Sequence, residues 1–324
     1  MSRVLSVKNL RVRFRAQGTL QALLSGNRDP FIDAVRDVSF DIREGETFTL
    51  VGESGSGKST LAMAIAGIHK IAHGSVHFGD SNISELDNNG MQTYRKQISY
   101  MWQNPTGSLS PRLSVGSLIT EPFKIHGLKQ TDLRAEAHRL LNMVGLPTDY
   151  TDRYPHQLSG GQARRVGVAR ALALQPKLII ADEPTAGLDV SVQGEILNLL
   201  NKLQDDLGLS MFVITHNLNI VRHISNRTAI MYLGRFVEVG DTDDIFAEAR
   251  HPYTLALLSA NPEADPDAKI NRIELQGEVP SLMQRPTGCE FHTRCPVAGK
   301  RCKLDFPPDV INDRQHWISC HYPQ

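Results

Sequence analysis

The stretch GESGSGKST, Gly52–Thr60, follows the short apolar run TFTLV and precedes LAMAIAGI, a segment of helical composition. It fits the pattern G-x-x-x-x-G-K-[ST]. In such a loop the backbone N–H groups surround phosphate oxygens, the lysine reaches the outer phosphates and the serine ligates Mg²⁺. A strand, a glycine loop and a helix in this order begin a βαβ unit, which predicts an α/β fold with a nucleotide-phosphate site. The residues predicted to contact the nucleotide are Gly52, Ser54, Gly55, Ser56, Gly57, Lys58, Ser59 and Thr60.

A second apolar run, KLIIADEP (177–184), contains two adjacent carboxylates, Asp182 and Glu183. Continuous apolar runs of this length are typical of parallel strands buried on both faces. The carboxyl end of that strand should lie beside the glycine loop, where Asp182 would hold Mg²⁺ through its water shell. Glu183 would then polarise a water molecule for in-line attack on the γ-phosphate. The pair therefore favours nucleotide hydrolysis over passive binding.

Composition and charge restrict the class of protein. The 324 residues are long enough for two ordinary domains, and 35 Lys plus Arg balance 35 Asp plus Glu without a basic run. Direct binding to nucleic acid or to an anionic membrane is therefore not expected. The first residues do not form the apolar core of a signal peptide, and no run approaches the length of a membrane span. We expect a cytosolic chain.

Hydrophobic periodicity predicts the remaining elements. Alternating segments at 4–14 and 35–42 predict two paired strands around a polar insertion, and SMFVITH (210–216) predicts another buried strand. The segment 228–241 predicts a hairpin that turns at Gly234. The chain from 86 to 154 has helical character, with an apolar stripe formed by Leu133, Ala137, Leu140, Leu141 and Val144.

Beyond residue 250 prolines become frequent and periodic segments become rare. We expect a domain boundary there, because a proline-rich, aperiodic segment should not continue the sheet. The predicted domains are 1–250 and a C-terminal extension, 251–324.

LSGGQARRVGVARAL (158–172) places a second glycine pair at the start of a helix, which is a second anion site. One nucleotide does not need two such sites within one subunit. Here the chain resembles the ATP-binding cassette family, whose signature is LSGGQ and whose paired subunits sandwich ATP between one loop and the partner's signature. The resemblance covers residues 4–250. It implies a P-loop NTPase fold of the RecA-like type, with a mostly parallel sheet, an antiparallel β subdomain and an inserted helical subdomain at about 90–160.

The resemblance also implies roles for single residues. Gln103 in MWQNP matches the glutamine that contacts Mg²⁺ and the attacking water and couples the site to the membrane subunit. His216 in VITHNL matches the histidine that stabilises the γ-phosphate, and Phe14 is the expected adenine-stacking aromatic. Mg²⁺ is expected at Ser59, Gln103 and Asp182. The residues expected to act on the partner's ATP are Ser159, Gly160, Gly161, Gln162 and Asp189.

The segments 101–116 and HPYTLALLSANP (251–262) are similar to the ATPase subunits of oligopeptide, dipeptide and nickel importers, in particular the second of their two ATPases. This implies a paralogous ATPase partner, two transmembrane permeases, a substrate-binding protein and a peripheral location on the cytoplasmic face of the inner membrane. Peptide is the expected substrate, while nickel, glutathione-like and sugar substrates stay open. A different class, a cassette ATPase acting on ribosomes or DNA with a metal-sensing tail, is disfavoured by the neutral charge balance.

The four cysteines of the chain are Cys289, Cys295, Cys302 and Cys320, spaced C-x5-C-x6-C-x17-C. Zinc sites usually contain close C-x-x-C pairs, and disulfides need an oxidising compartment. Irregularly spaced thiolates suit a [4Fe–4S] cluster, and the resemblance to importer ATPases, whose tails carry C-x-F-H-x-R-C-P, indicates the same. We expect a structural cluster, with zinc as the alternative.

Overall fold

The computed structural model describes residues 2–15, 31–128, 132–261 and 272–324. Its strands are β1 (Arg3–Arg15), β2 (Phe31–Arg43), β3 (Thr47–Val51), β4 (His73–Phe78), β5 (Ser81–Asn82), β6 (Ile98–Met101), β7 (Leu178–Asp182), β8 (Ser210–Thr215), β9 (Arg227–Tyr232), β10 (Arg235–Asp241), β11 (Asp309–Ile311) and β12 (Trp317–Ser319).

Its α-helices are α1 (Lys58–Ile65), α2 (Asn88–Gln97), α3 (Pro105–Ser108), α4 (Val115–Ile125), α5 (Leu133–Met143), α6 (Gly160–Leu172), α7 (Val190–Leu207), α8 (Leu218–Ile224), α9 (Thr242–Ala247), α10 (Pro252–Ser259) and α11 (Lys300–Leu304). Among the described residues, no helix combines the length and apolar character that crossing a membrane requires.

The chain forms two compact units, each discontinuous in sequence. The first contains Met1–Ser6, Asp41–Thr47 and His77–Ile214. The second contains Val7–Phe40, Phe48–Val76 and Thr215–Gln324. The domain boundary expected near residue 250 stays a prediction.

The first unit contains three neighbouring parallel strands, with β7 between β6 and β8. Every residue of β7 and β8 is buried, which confirms the two buried strands predicted from their apolar runs. Strand β6 lies inside the stretch predicted to be helical. Its four residues, ISYM, are too few to show a periodicity of two, so pairing with β7 decides their conformation.

Helices α4, α5 and α6 pack against one another in the first unit. Helix α5 begins where the Asp132 carboxylate accepts the backbone N–H groups of Arg134 and Ala135. The predicted apolar stripe is its buried face, since Leu140 and Leu141 are fully excluded from solvent. Tertiary packing therefore stabilises this helix along the face that the sequence predicts.

In the second unit β3 pairs in parallel with β9, and β9 pairs antiparallel with β10. The turn between β9 and β10 is formed by Leu233 and Gly234, as the hairpin prediction required. Strand β1 lies between β2 and β4 in a separate sheet, which confirms the two alternating strands near the start of the chain.

The expectation that the proline-rich segment cannot continue a sheet is wrong. Strand β12 pairs antiparallel with β10 and β11 pairs with β12, so the sheet of the second unit extends into the C-terminal region. Both strands contain three residues, and Pro307, Pro308 and Pro323 lie outside them. Proline interrupts a strand only where it removes a ladder N–H, and these prolines remove none.

Phe291 anchors the C-terminal region to the β9–β10 side of the second unit. Its side chain is 2% exposed and joins a buried cluster that includes Val51 and Ile230. The ring centroid lies 5.2 Å from that of Tyr232 and 5.3 Å from that of Tyr253. Removing a ring buried in this way costs about 3–5 kcal/mol, so this one contact is a large part of what holds the region in place.

A buried carboxylate also holds the C-terminal region in place, through hydrogen bonds. Glu238 of β10 is fully buried and accepts the backbone N–H groups of Arg250 at 2.7 Å and His251 at 3.1 Å. Its Oε1 lies 2.8 Å from Nε2 of His316. The His251 ring in turn accepts the Tyr253 N–H through Nδ1 and caps α10. Burial lowers the pKa of His251 to about 4, which keeps the ring neutral.

This burial predicts a loss of stability in acid. An unfolded histidine titrates near pH 6.5, so between about pH 6.5 and pH 4 the unfolded chain binds the proton that folded His251 does not. The contribution is intact above pH 6.5 and decreases as the pH falls. In His251→Asn the asparagine can still cap α10. The free energy of unfolding of this variant, measured with denaturant, should fall by about 2 kcal/mol less than that of the wild type between neutral pH and pH 5. His156→Asn, at an exposed position, should leave the dependence unchanged; equal slopes in all three proteins would contradict the prediction.

Candidate functional site

The glycine loop connects β3 to α1 in the second unit. A Cβ at Gly52 would clash with the carbonyl oxygen of Met231, and one at Gly57 would clash with that of Ala34. Gly57 also has φ 102° and precedes α1 without any side-chain cap. The N-terminus of α1 thus lies directly after the glycine loop, and a helix N-terminus in this position is the arrangement that binds phosphate.

The lysine of the loop is folded against its backbone. Lys58 is 8% exposed, and its Nζ donates to the carbonyl oxygens of Gly52 at 2.7 Å and Glu53 at 2.8 Å. Its positive charge is thereby held at the loop, where phosphate oxygens would be received. Of the other predicted contacts, Ser54 and Gly55 are exposed, Ser56 is buried, and Ser59 and Thr60 are half-buried in the first turn of α1.

Two further predicted residues belong to the second unit. Phe14 of β1 is 39% exposed, and its ring stands edge-on to that of His69 at 5.0 Å. Part of its face is thus open to a stacking partner. His216 is exposed directly after β8, and the next residue, Asn217, caps α8 by accepting the N–H of Asn219. The cap fixes where the strand ends and the helix begins.

The first unit holds the two carboxylates at the end of β7. Asp182 is 4% exposed and accepts the Tyr100 hydroxyl of β6 at 2.9 Å. Burial and this carboxylate raise the pKa of Tyr100, so the hydroxyl stays protonated and orients Asp182. Glu183 has φ 50°, a left-handed conformation that is rare for a residue with a side chain. Its N–H donates to the Ile214 carbonyl at 2.9 Å, which holds this turn at the strand end.

Arg164 of α6 ties together two loops of the first unit. It is 1% exposed and donates to the carbonyl oxygens of Trp102, Gln103 and Ala186 at 3.1 to 3.3 Å. Burial lowers its pKa to about 10, which still leaves it charged at neutral pH. The backbone of Gln103, whose side chain is exposed, is therefore fixed relative to the segment that precedes Asp189.

The LSGGQ segment forms the N-terminus of α6. Ser159 Oγ accepts the Gln162 N–H at 3.3 Å, and Gln162 Oε1 accepts the Ser159 N–H at 2.9 Å, which makes a capping box. Gly160 is exposed. A Cβ at Gly161 would lie 2.7 Å from Cγ1 of Val192 in α7, so only glycine fits without a shift.

Asp189 caps the adjacent helix α7. Its Oδ1 accepts the Val192 N–H at 3.0 Å and the Ser191 hydroxyl at 2.9 Å. These hydrogen bonds lower the pKa of Asp189 and keep it ionised. Because Gly161 contacts Val192, the structure brings the LSGGQ turn and the start of α7 together on the first unit.

The four cysteines of the second unit lie within electrostatic range of one another and are all free. The Cys289 N–H donates to the Cys302 carbonyl at 2.8 Å. Burial raises the pKa of Cys289 to about 12 and that of Cys320 to about 11, and each pKa is raised further by neighbouring cysteines. Within the described ranges, however, no three or more His, Cys, Asp or Glu side chains are arranged to hold a metal ion.

Comparison with known proteins fits this geometry. Residues 35–186 match the ABC transporter family model, and residues 237–302 match the oligopeptide/dipeptide transporter C-terminal region. The chain is 40% identical over 321 residues to the oligopeptide transport ATP-binding protein OppF of Haemophilus influenzae, covering 98% of this chain and 96% of that protein.

The chain belongs to the ABC transporter family. Solved ABC cassettes have the same fold: the dimeric MJ0796 cassette bound to ADP and Pi gives a TM-score of 0.64 at 29% identity, covering 74% of this chain and 98% of that one. The structure of cbiO1 from Clostridium perfringens gives a TM-score of 0.64 at 29% identity, covering 76% of this chain and 92% of that one. The predicted fold class is therefore confirmed. The protein is an ABC ATPase of the oligopeptide family, and its reaction is the hydrolysis of ATP with Mg²⁺.

The sequence did not predict the positioning roles of two residues of this ABC ATPase, Tyr100 and Arg164. Tyr100, which orients Asp182, lies in a strand too short to predict, three residues before Gln103. Arg164 lies two positions after LSGGQ, and its neighbours Ala163 and Val166 are buried. A cationic residue on an apolar helix face could have indicated a buried, hydrogen-bonded arginine.

We predict that Arg164→Met lowers kcat of this ATPase by about tenfold to a hundredfold while changing the KM for ATP less. Methionine fills a similar volume but cannot bind the three carbonyl groups, so the Gln103 loop loses its position. Steady-state ATP hydrolysis by the full-length chain measures the effect. The exposed Arg134→Gln serves as the control, and an Arg164→Met enzyme with unchanged kcat would refute this role.

Proposed function

We propose that this ABC ATPase powers the import of di- and oligopeptides through separate membrane permease subunits. The observation that carries the proposal is the end-to-end similarity to an oligopeptide transport ATP-binding protein, which includes the oligopeptide/dipeptide C-terminal region at 237–302. No corresponding observation supports the nickel, glutathione-like or sugar alternatives, or action on ribosomes or DNA. A peripheral location on the cytoplasmic face of the membrane belongs to the same proposal.

The proposed chemistry uses the residues that the sequence predicts for the nucleotide site. Lys58 and the N–H groups of the loop bind the ATP phosphates, Phe14 stacks on adenine, and His216 stabilises the γ-phosphate. Ser59, Gln103 and Asp182 would hold Mg²⁺, which would supply positive charge beside the phosphates. Glu183 accepts a proton from the attacking water as the bond to the γ-phosphorus forms and ADP leaves.

The LSGGQ turn and Asp189 are proposed to act on ATP bound by a partner ATPase. Support comes from the exposure of Ser159, Gly160 and Asp189 at two neighbouring helix N-termini, which favour an anion. The proposed partner is a paralogous ATPase, so that the working unit is a heterodimer.

A cavity of about 720 Å³ in the first unit is the proposed docking place of a permease. It is lined by Trp102 and Gln103, by Glu121 and Ile125 of α4, and by Arg170 of α6. Ile125 is 71% exposed and Trp102 is 42% exposed, so the rim offers apolar side chains to a partner. Because Gln103 lines this cavity and is also a proposed Mg²⁺ ligand, docking would be coupled directly to the ATP site.

The test uses the complex reconstituted in liposomes with its two permeases. Glu183→Gln should bind ATP normally while peptide-stimulated hydrolysis falls by about a hundredfold or more, because an amide cannot accept the proton. Glu278→Gln, at an exposed position, is the matched control. Normal turnover in Glu183→Gln would remove that residue from the mechanism. Recovery of the wild-type chain with ribosomes or nucleic acid instead of permeases would overturn the transport proposal.

We propose further that Cys289, Cys295, Cys302 and Cys320 hold a [4Fe–4S] cluster. Their electrostatic coupling and free state support it. As they stand the described side chains do not form a metal site, so the cysteines would have to move to ligate the cluster. Loading would displace the thiol protons that burial retains, and the cluster would crosslink a region with little core of its own. Zinc is the alternative occupant.

Anaerobically purified protein is expected to absorb visible light and to contain about four iron and four sulfide per chain. Cys302→Ser should lower both contents and destabilise the C-terminal region, whereas Lys58→Ala, which lacks the loop lysine, should retain both. A colourless protein that contains zinc and no iron would contradict the cluster.

A further inference from the structure

The C-terminal segment, defined here as residues 272–324, contacts the phosphate-binding loop directly. Arg294 donates from Nη1 to Glu53 Oε2 at 2.7 Å and from Nη2 to Glu53 Oε1 at 3.0 Å. The Arg294 side chain is 8% exposed and that of Glu53 is 28% exposed. A two-pronged, largely buried guanidinium–carboxylate pair is the strongest geometry available to an ion pair, and it fixes the orientation of both groups.

Glu53 is the second residue of the loop, and its backbone groups are engaged as well. Its N–H donates to the Tyr253 hydroxyl at 3.0 Å, and its carbonyl accepts from Lys58 Nζ at 2.8 Å. One loop residue therefore links Arg294, the aromatic anchor Tyr253 and the lysine that is proposed to reach the phosphates. A change in the position of Glu53 would move the hydrogen-bond acceptor of that lysine.

A second contact supports the middle of the loop. Arg285 of the C-terminal segment donates from Nη1 to the Leu233 carbonyl at 2.6 Å and to Glu290 at 2.8 Å. The next residue, Gly234, donates its N–H to the carbonyl of Ser56 in the loop at 2.8 Å. The segment thus supports the loop on both sides, at Glu53 directly and at Ser56 through the β9–β10 turn.

Arg294 is itself rigidly mounted. Its backbone N–H donates to the Phe291 carbonyl at 3.0 Å, and the Phe291 ring is buried in the core of the second unit. The guanidinium lies 6.0 Å from the centroid of the Tyr232 ring. The fork is therefore preorganised before any nucleotide binds.

The charge of Glu53 explains why such a pair is needed. A carboxylate one residue after Gly52 lies in a loop built to receive phosphate anions, and an unpaired negative charge there would repel them. Arg294 neutralises that charge and restricts the rotation of the Glu53 carboxylate. Neither effect requires Arg294 to touch the nucleotide.

We propose that Arg294 is a positioning residue of the nucleotide site: it holds Glu53, and through Glu53 the loop, in the conformation that receives MgATP. ATP affinity then depends on the C-terminal segment. This inference rests on the proposed phosphate-binding role of Gly52–Thr60 and is independent of the transported substrate.

The test measures the KM for MgATP and kcat of hydrolysis for the full-length chain. Arg294→Gln should raise the KM by about tenfold with a smaller change in kcat, because it leaves a carboxylate unpaired in the loop. Arg294→Lys keeps the charge but loses the fork, so its KM should lie between those of Arg294→Gln and the wild type. Arg301→Gln changes an exposed arginine of the same segment and should leave both constants unchanged.

A double variant separates positioning from a general loss of stability. Glu53→Gln combined with Arg294→Gln removes the unpaired carboxylate but does not restore the two hydrogen bonds that hold the loop, so its KM should lie below that of Arg294→Gln and above the wild-type value. Thermal unfolding without nucleotide shows whether each variant folds. An unchanged KM in Arg294→Gln, or multiplied defects in the double variant, would overturn the inference.

The variant Lys58→Ala shows whether a negative result refutes only the role of Arg294 or also the phosphate-binding role proposed for the loop. It should abolish ATP binding, measured with a fluorescent ATP analogue in the presence of Mg²⁺. If Lys58→Ala binds as tightly as the wild type, the loop assignment is wrong and the inference about Arg294 falls with it. If Lys58→Ala fails to bind while Arg294→Gln binds normally, only the role of Arg294 is refuted.

Discussion

The loop between β3 and α1 depends on backbone approaching backbone more closely than any side chain would permit. Gly52 lies against the Met231 carbonyl and Gly57 against the Ala34 carbonyl, so residues distant in sequence meet where a Cβ has no room. This close approach fixes the loop relative to β9 and β2 within the second unit. The loop leads directly into the N-terminus of α1, and the proposed phosphate site depends on that arrangement.

The remaining polar contacts of the loop act on this constrained backbone. Tyr253, Lys58 and Arg294 each bind a different group of Glu53, and all three are held by buried surroundings. Two of these partners, Tyr253 and Arg294, come from the region after residue 250. The region is therefore not an independent appendage of the second unit. It contributes a strand to the sheet through β12, a ring to the core through Phe291, and a charge to the nucleotide loop.

Each carboxylate proposed to act in catalysis is also placed by a neighbour that performs no chemistry. Tyr100 orients Asp182, and the hydrogen bond from Glu183 to Ile214 holds a backbone conformation that is unfavourable for glutamate. Asp189 caps α7 before it meets any partner. These supports differ in kind, yet all of them fix the geometry before the nucleotide binds, which is how binding energy is reserved for the reaction.

The sequence by itself determined the features that depend on a local motif or on a hydrophobic pattern sustained over many residues. The loop motif, the runs that became β7 and β8, the hairpin at Gly234 and the stripe of α5 were all predictable, because each depends on residue type at fixed spacing. Tertiary structure alone decided β6 and β12, since three or four residues carry no readable period and their conformation comes from the neighbouring strand. It also decided the roles of Tyr100, Arg164 and Arg294. The partners of these residues lie tens to hundreds of positions away, and a hydrogen bond across that separation leaves no trace in local sequence.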